Sequence, residues 1–152
     1  MNIEYMEQVK KNPVINFKNE PMAISEIEKL EKKYNSGKEF PRAFREYLFL
    51  AGDFNNFGFD DLGEGIDELQ NIAKEDMDFV GQKLDRPFFA FDVLDSMYSV
   101  ILLDEIEEDP KVYLLMPFLA KGGSEPLLKP SKWNFTALVN ESIRRVKNNI
   151  AF

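Results

Sequence analysis

The chain has 152 residues, is 44% hydrophobic and 13% aromatic, and sets 27 Asp and Glu against 19 Lys and Arg, for a net charge of −8. That length and apolar content can bury a core without disulfides or metals, and one domain is the default. There is no Cys and no His, which excludes thiol nucleophiles, Ser-His-Asp relays, CxxC zinc sites and histidine-ligated metals.

The charge is divided between two regions. Residues 53–109 hold 17 acidic residues and three basic ones, Lys74, Lys83 and Arg86, about −14, while the remainder (10 acidic, 16 basic) is about +6. Such a split predicts an acidic face presented to something basic. Met1 to Lys11 contains Glu4 and Glu7 and no apolar core, against a secretory signal. No window approaches the roughly 18 apolar residues of a membrane span. A soluble cytoplasmic protein is expected.

In chain order, a polar lead-in over 1–21 contains Pro13 and Pro21. Ser25 and Glu28 then read as a capping box opening a helix whose apolar stripe is Ile24, Ile27, Leu30 and Tyr34. Gly37 ends it. Phe40-Pro41 starts a second helix, with Pro41 at the first helical position, a stripe of Phe44, Tyr47, Leu48 and Ala51, and Gly52 as the stop. A Gly, Asn, Asp and Phe loop from Asp53 to Gly65 precedes a longer helical pattern through Ile66, Leu69, Ile72, Ala73, Met77, Val80 and Leu84, which Pro87 stops. Its outer face carries Asp67, Glu68, Glu75, Asp76 and Asp78.

From Phe88 the period becomes extended. Phe88–Asp92, Tyr98–Leu103 and Val112–Met116 read as strands, joined by Asp95-Ser96 and by the acidic run Asp104 to Pro110. Connections this short require antiparallel pairing. A Gly/Pro-rich stretch from Lys121 to Pro130 leads to Trp133-Asn134-Phe135 and a last helix through Leu138, Val139, Ile143, Val146 and Ile150. Arg144, Arg145 and Lys147 near its end suit the helix dipole. Helices, then a meander, then a helix predict an α+β domain: an antiparallel sheet packed against N-terminal helices and a C-terminal helix.

The succession Ile24-x-x-Ile27-Glu28-x-Leu30-Glu31, then Phe40-Pro41-x-x-Phe44-x-x-Tyr47-Leu48 and a Gly-Phe loop, resembles the SUKH superfamily, which includes the yeast Smi/Knr-type cell-wall regulators and many bacterial immunity proteins. With the acidic helix, the meander and Trp133-x-Phe135, the resemblance covers roughly residues 22–148. It implies an α+β binding domain that neutralises a cognate bacterial toxin by direct contact. Many such toxins are nucleases, and nuclease domains tend to be basic. The chain departs from the family pattern at Pro41-Arg42-Ala43-Phe44, where Pro-x-Asp/Ser-Tyr is usual, so no functional residue transfers through that motif.

Candidate sites are surface ones. The loop Asp53 to Glu64 matches an EF-hand at Asp53, Asn55, Gly58 and Glu64 but has Phe57 at a ligand position and Asp60 at an apolar one, which favours a Gly-punctuated turn over calcium. Phe54, Phe57 and Phe59 are candidates either for partner anchors or for core plugs. Glu105, Glu107, Glu108 and Asp109 form a charged hairpin tip. With Asp60, Asp61, Glu64, Asp67, Glu68, Glu75 and Asp76, this tip is expected to mimic phosphate spacing and cover a basic cleft. An enzyme reading rests on carboxylates alone, Asp92 with Asp95 or Asp104 with Glu105, and Lys121-Gly122-Gly123-Ser124 lacks P-loop spacing.

The expectation is a non-catalytic immunity protein that blocks a basic, nuclease-type toxin, with no cofactor or metal, no direct nucleic acid, no membrane contact, and a monomeric or weakly dimeric state. The alternative is a regulatory scaffold of the cell-wall regulator type, and a carboxylate-dependent hydrolase stands third.

Overall fold

The chain is described from a computed structural model over residues 1–11 and 17–152; Pro13 of the lead-in lies outside the described residues. The elements run α1 (Glu7–Lys11), α2 (Ile24–Tyr34), α3 (Arg42–Ala51), α4 (Ile66–Phe79), β1 (Phe88–Leu94), β2 (Met97–Leu102), β3 (Lys111–Leu115), α5 (Pro117–Lys121), β4 (Leu128–Asn134) and α6 (Phe135–Lys147). Helices precede and follow a four-stranded antiparallel sheet of order β1-β2-β3-β4, an α+β fold as the order of patterns predicts. The residues gather into two compact units: Met1–Phe59, Ile106–Pro110 and Trp133–Phe152 form the first, Asp60–Glu105 and Lys111–Lys132 the second. Among the described residues no helix is long and apolar enough to cross a membrane.

In the first unit α3 is central. Its predicted stripe is buried, and so are Ala43 and Glu46, because α1, α2 and α6 all pack on it. Aromatic rings fill the space between: centroids lie 5.2 Å apart for Phe44 and Phe135, 5.8 Å for Tyr47 and Phe59, and 5.1 Å for Phe57 and Phe59. Phe57 and Phe59 are 0% and 9% exposed, which corrects their candidacy as partner contacts. Their ring area gains more in this cluster than in water. Phe54 is the exposed one of the three and stands edge-on to Phe17.

Two buried carboxylates tie the helices together. Glu31 receives the Phe40 N–H at 2.7 Å and Arg45 Nε at 3.0 Å, joining α2, the following loop and α3. Glu46 receives the N–H groups of Glu4, Tyr5 and Met6, the residues that lead into α1.

Three local readings are corrected. The Ser25–Glu28 capping box does not form, because Met22 is pinned to Leu48 by a backbone bond and the helix opens at Ile24 with Ala23 as an uncapped N-cap. Ser25 is therefore already helical. Pro41 is the N-cap of α3 rather than its first residue, with extended ψ of 141°. The long helix ends at Phe79, well before Pro87: Gly81 takes φ 70°, its N–H donates to Asp78 O, and the Gln82 N–H reaches Met77 O, a Schellman stop that needs no proline.

In the second unit α4 packs on β1, and Leu69, Ala73 and Met77 meet Ala90, Val93, Tyr98, Val100 and Leu115. Gln70, 1% exposed, acts as a surrogate strand: its Nε2 donates to Ala90 O and its Oε1 accepts from Ala90 N, both at 2.7 Å. The Ala90 backbone at the outer edge of β1 is thereby satisfied within the unit. Phe91 is skipped by the register with β2, a bulge between Ala90 and Asp92. The predicted turn at Asp95-Ser96 has φ 50° and 59°, the double positive-φ form that suits tight hairpins. The end of the Gly/Pro-rich stretch from Lys121 to Pro130 is not a connection but the start of β4, an edge strand carrying Pro130 and exposed Lys129 and Lys132, residues that blunt edges.

Candidate functional site

The acidic candidates divide between the units. Asp60, Asp61, Glu64, Asp67, Glu68, Glu75, Asp76 and Glu105 belong to the second, and Glu107, Glu108 and Asp109 to the first. Several have structural work of their own. Asp60 Oδ1 accepts from Leu62 N at 2.7 Å and Asp61 Oδ1 from Gly63 N at 2.9 Å, each closing a turn through its own side chain.

In the charged tip, the Glu108 carboxylate accepts from Tyr5 OH at 2.9 Å, and Asp109 accepts from Thr136 N at 3.0 Å. The second bond supplements the Asn134 cap of α6, which accepts from Ala137 N. Glu105 accepts from Tyr113 OH at 2.8 Å and lies 3.8 Å from Arg86, whose guanidinium is bidentate on Asp104. Burial and then Glu105 push the Tyr113 hydroxyl pKa up, while the Arg86 hydrogen bond holds Asp104 below its ordinary value. The like charges of the tip are thus relieved by tyrosines, Arg86 and a helix terminus. Glu107 stays exposed, beside Ile106, an apolar tip 99% exposed.

The acids of α4 differ in kind along the helix. Asp67 and Glu68 occupy its first turn, where the positive end of the dipole favours them. The last turn holds Asp76 and Asp78 and no basic residue, with Glu75 just before it. Carboxylates at this end meet the negative pole, at a cost of about 0.3–1 kcal/mol each. Asp76 is compensated, since the buried Tyr98 donates its hydroxyl proton to it. Glu75 and Asp78 are exposed, with no ion pair to a cation among the described residues.

The EF-hand-like residues do other things. Asn55 spends both ends of its side chain on Phe59, donating from Nδ2 to the carbonyl and accepting the N–H, both at 3.0 Å. Among the described residues no group of three or more Asp, Glu, His or Cys is arranged to hold a metal.

Asp92, singled out with Asp95 as a possible acid–base pair, instead receives the Asp60 N–H at 2.8 Å, and Val93 N returns to Asp60 O. Burial, then the Asp60 charge, raises the Asp92 carboxyl to about 6. The folded state therefore takes up a proton between about pH 6 and the unfolded value near 4. Stability rises as pH falls through 6, and the full cost of ionisation is present above it. Asp92→Asn, which keeps the acceptor oxygen, is expected to gain about 1–2 kcal/mol at pH 7.5 and nothing at pH 4.5, read by denaturant unfolding at both values. A gain equal at the two pH values would contradict the assignment.

Sequence reasoning missed an apolar feature of the second unit. Phe79 lies off the buried stripe of α4 and is 81% exposed, and its ring meets that of Phe118 at 6.3 Å. A large aromatic out of phase with Leu69, Ala73 and Met77 was the available signal. Comparison with protein-family models, curated proteins and solved structures returns no match for this chain.

Proposed function

We propose that this chain acts by stoichiometric binding, its second unit offering an acidic surface to a basic protein, and that the partner is a bacterial toxin of the nuclease type whose active or substrate-binding surface is occluded. The observation that carries the acidic-surface reading is the end of α4, where Glu75, just before the last turn, and Asp78, within it, stand exposed near the negative pole of the helix with no ion pair to a cation among the described residues. Charge placed at a cost to folding is accounted for by a partner that neutralises it. The choice of a toxin over another basic protein rests on the SUKH resemblance. Complementary charge would speed association and make it salt-sensitive, while buried apolar contacts would set the dissociation rate.

The test is growth of a host expressing the C-terminal domain encoded by the gene immediately upstream, with and without this chain. Killing by the domain and rescue by the chain is the expected result. Killing that the chain does not relieve would overturn the immunity reading and favour a scaffold that recruits a cellular partner through the same surface.

A further inference from the structure

We infer that the apolar patch built by the end of α4, by α5 and by the β1–β2 turn is the anchor of this surface, receiving an apolar side chain that the partner presents between Lys or Arg residues. The inference rests on the binding reading above and specifies what the partner must carry.

Phe79 closes α4 at 81% exposure, although its neighbours Met77 and Val80 are each 5% exposed. Its ring leads directly to Phe118. Phe118 and Leu119, 41% and 38% exposed, then wall a shallow hollow of about 280 Å³ that Met97 and Met116 also line. Leu94, which pairs with Met97 at the hairpin end, is 59% exposed. Isolated surface hydrophobics are ordinary, but a contiguous set around a hollow marks a contact surface. Methionine walls adapt to the side chain that enters.

The rim identifies the occupant. Glu75 precedes Phe79 by four residues and shares its face of the helix, Asp78 adjoins it, and Asp95 stands at the lip of the hollow. Lys121 ends α5, and Lys74 precedes Asp78 by four residues on α4. A second copy of the chain would bring the same carboxylates together, and an anionic lipid surface would be repelled. A basic protein is attracted by the rim and held by the aromatic centre, the arrangement of an apolar hot spot within a charged border.

The experiment is fluorescence anisotropy of two short labelled peptides against the whole chain. One peptide is amphipathic, with leucines on one helical face and lysines on the other; the second has every leucine replaced by serine at equal charge. The leucine peptide is expected to bind about tenfold more tightly. Phe79→Ser, at a site so exposed that the fold should be unchanged by circular dichroism, is expected to remove the preference. Equal affinity for the two peptides, or a preference that survives Phe79→Ser, overturns the inference. If the serine peptide binds at low salt and Glu75→Lys with Asp78→Lys weakens it, but leucine adds nothing, the acidic surface stands and the anchor alone falls. If the serine peptide does not bind at low salt, the acidic reading fails and takes the anchor with it.

Discussion

Replacing Glu46 by alanine is expected to release the N-terminal segment and lower stability by about 3–5 kcal/mol. Glu46 is fully buried. One carboxylate oxygen accepts from Glu4, Tyr5 and Met6 N–H at 2.9, 2.8 and 3.1 Å, and the other accepts from Arg42 Nε at 2.7 Å. Alanine would leave three backbone donors and a guanidinium without their acceptor, in a place where water reaches poorly. The loss extends beyond those bonds, since Ile3, Met6 and Val9, at 9%, 0% and 2% exposure, are buried through the same attachment. Arg42 would keep its contact with the Asn2 carbonyl and a distant one with Glu4, too little to hold the segment. Glu46→Gln retains an oxygen for the amides and gives up the charge toward Arg42, so it should lose about half as much. Denaturant unfolding gives the magnitude, and hydrogen exchange at Tyr5 and Met6 locates it. Unchanged exchange at those two amides in Glu46→Ala would contradict the role assigned to the carboxylate.

Nothing in residue spacing distinguishes Glu46 from a solvated helix position. A pattern with period 3.6 reports one buried face, and α3 is covered on several, so its polar positions became structural once α1 and α6 packed on them. Gln70 was hidden for the same reason: its partner, the Ala90 backbone, is 20 residues away. Where one face decides, the reading was accurate. The α3 stripe, the three strands from Phe88 to Met116 and the Asp95-Ser96 turn lie within a residue or two of where spacing puts them, whereas Ile24 at the start of the α2 stripe and Ile150, past the end of α6, are each 42% exposed. Errors collected at ends, where a single backbone geometry outweighs periodicity, as Gly81 did against Pro87. The acidic candidates were legible as charge but not as roles. Asp109 is a helix cap only because a segment distant in sequence meets it, and Glu105 is a tyrosine acceptor because the chain turns back to Tyr113 eight residues later, whereas Glu75 and Asp78 remain as exposed as composition suggested.

Reversing the two exposed acids at the end of α4, Glu75→Lys with Asp78→Lys, is expected to weaken binding of the upstream-encoded domain at least about 30-fold at low salt, chiefly through slower association. Both positions are exposed, and lysine at the end of α4 suits the dipole better than a carboxylate. The variant should therefore be as stable as the parent or slightly more so, which separates lost affinity from lost fold. Raising salt to about 0.5 M should shrink the difference, because the Debye length falls to a few ångströms. Titration of that domain with parent and variant at the two salt concentrations tests the acidic-surface account most directly. The account predicts a large deficit at low salt that fades at high salt in a fully folded variant; equal affinity of parent and variant at low salt would contradict it.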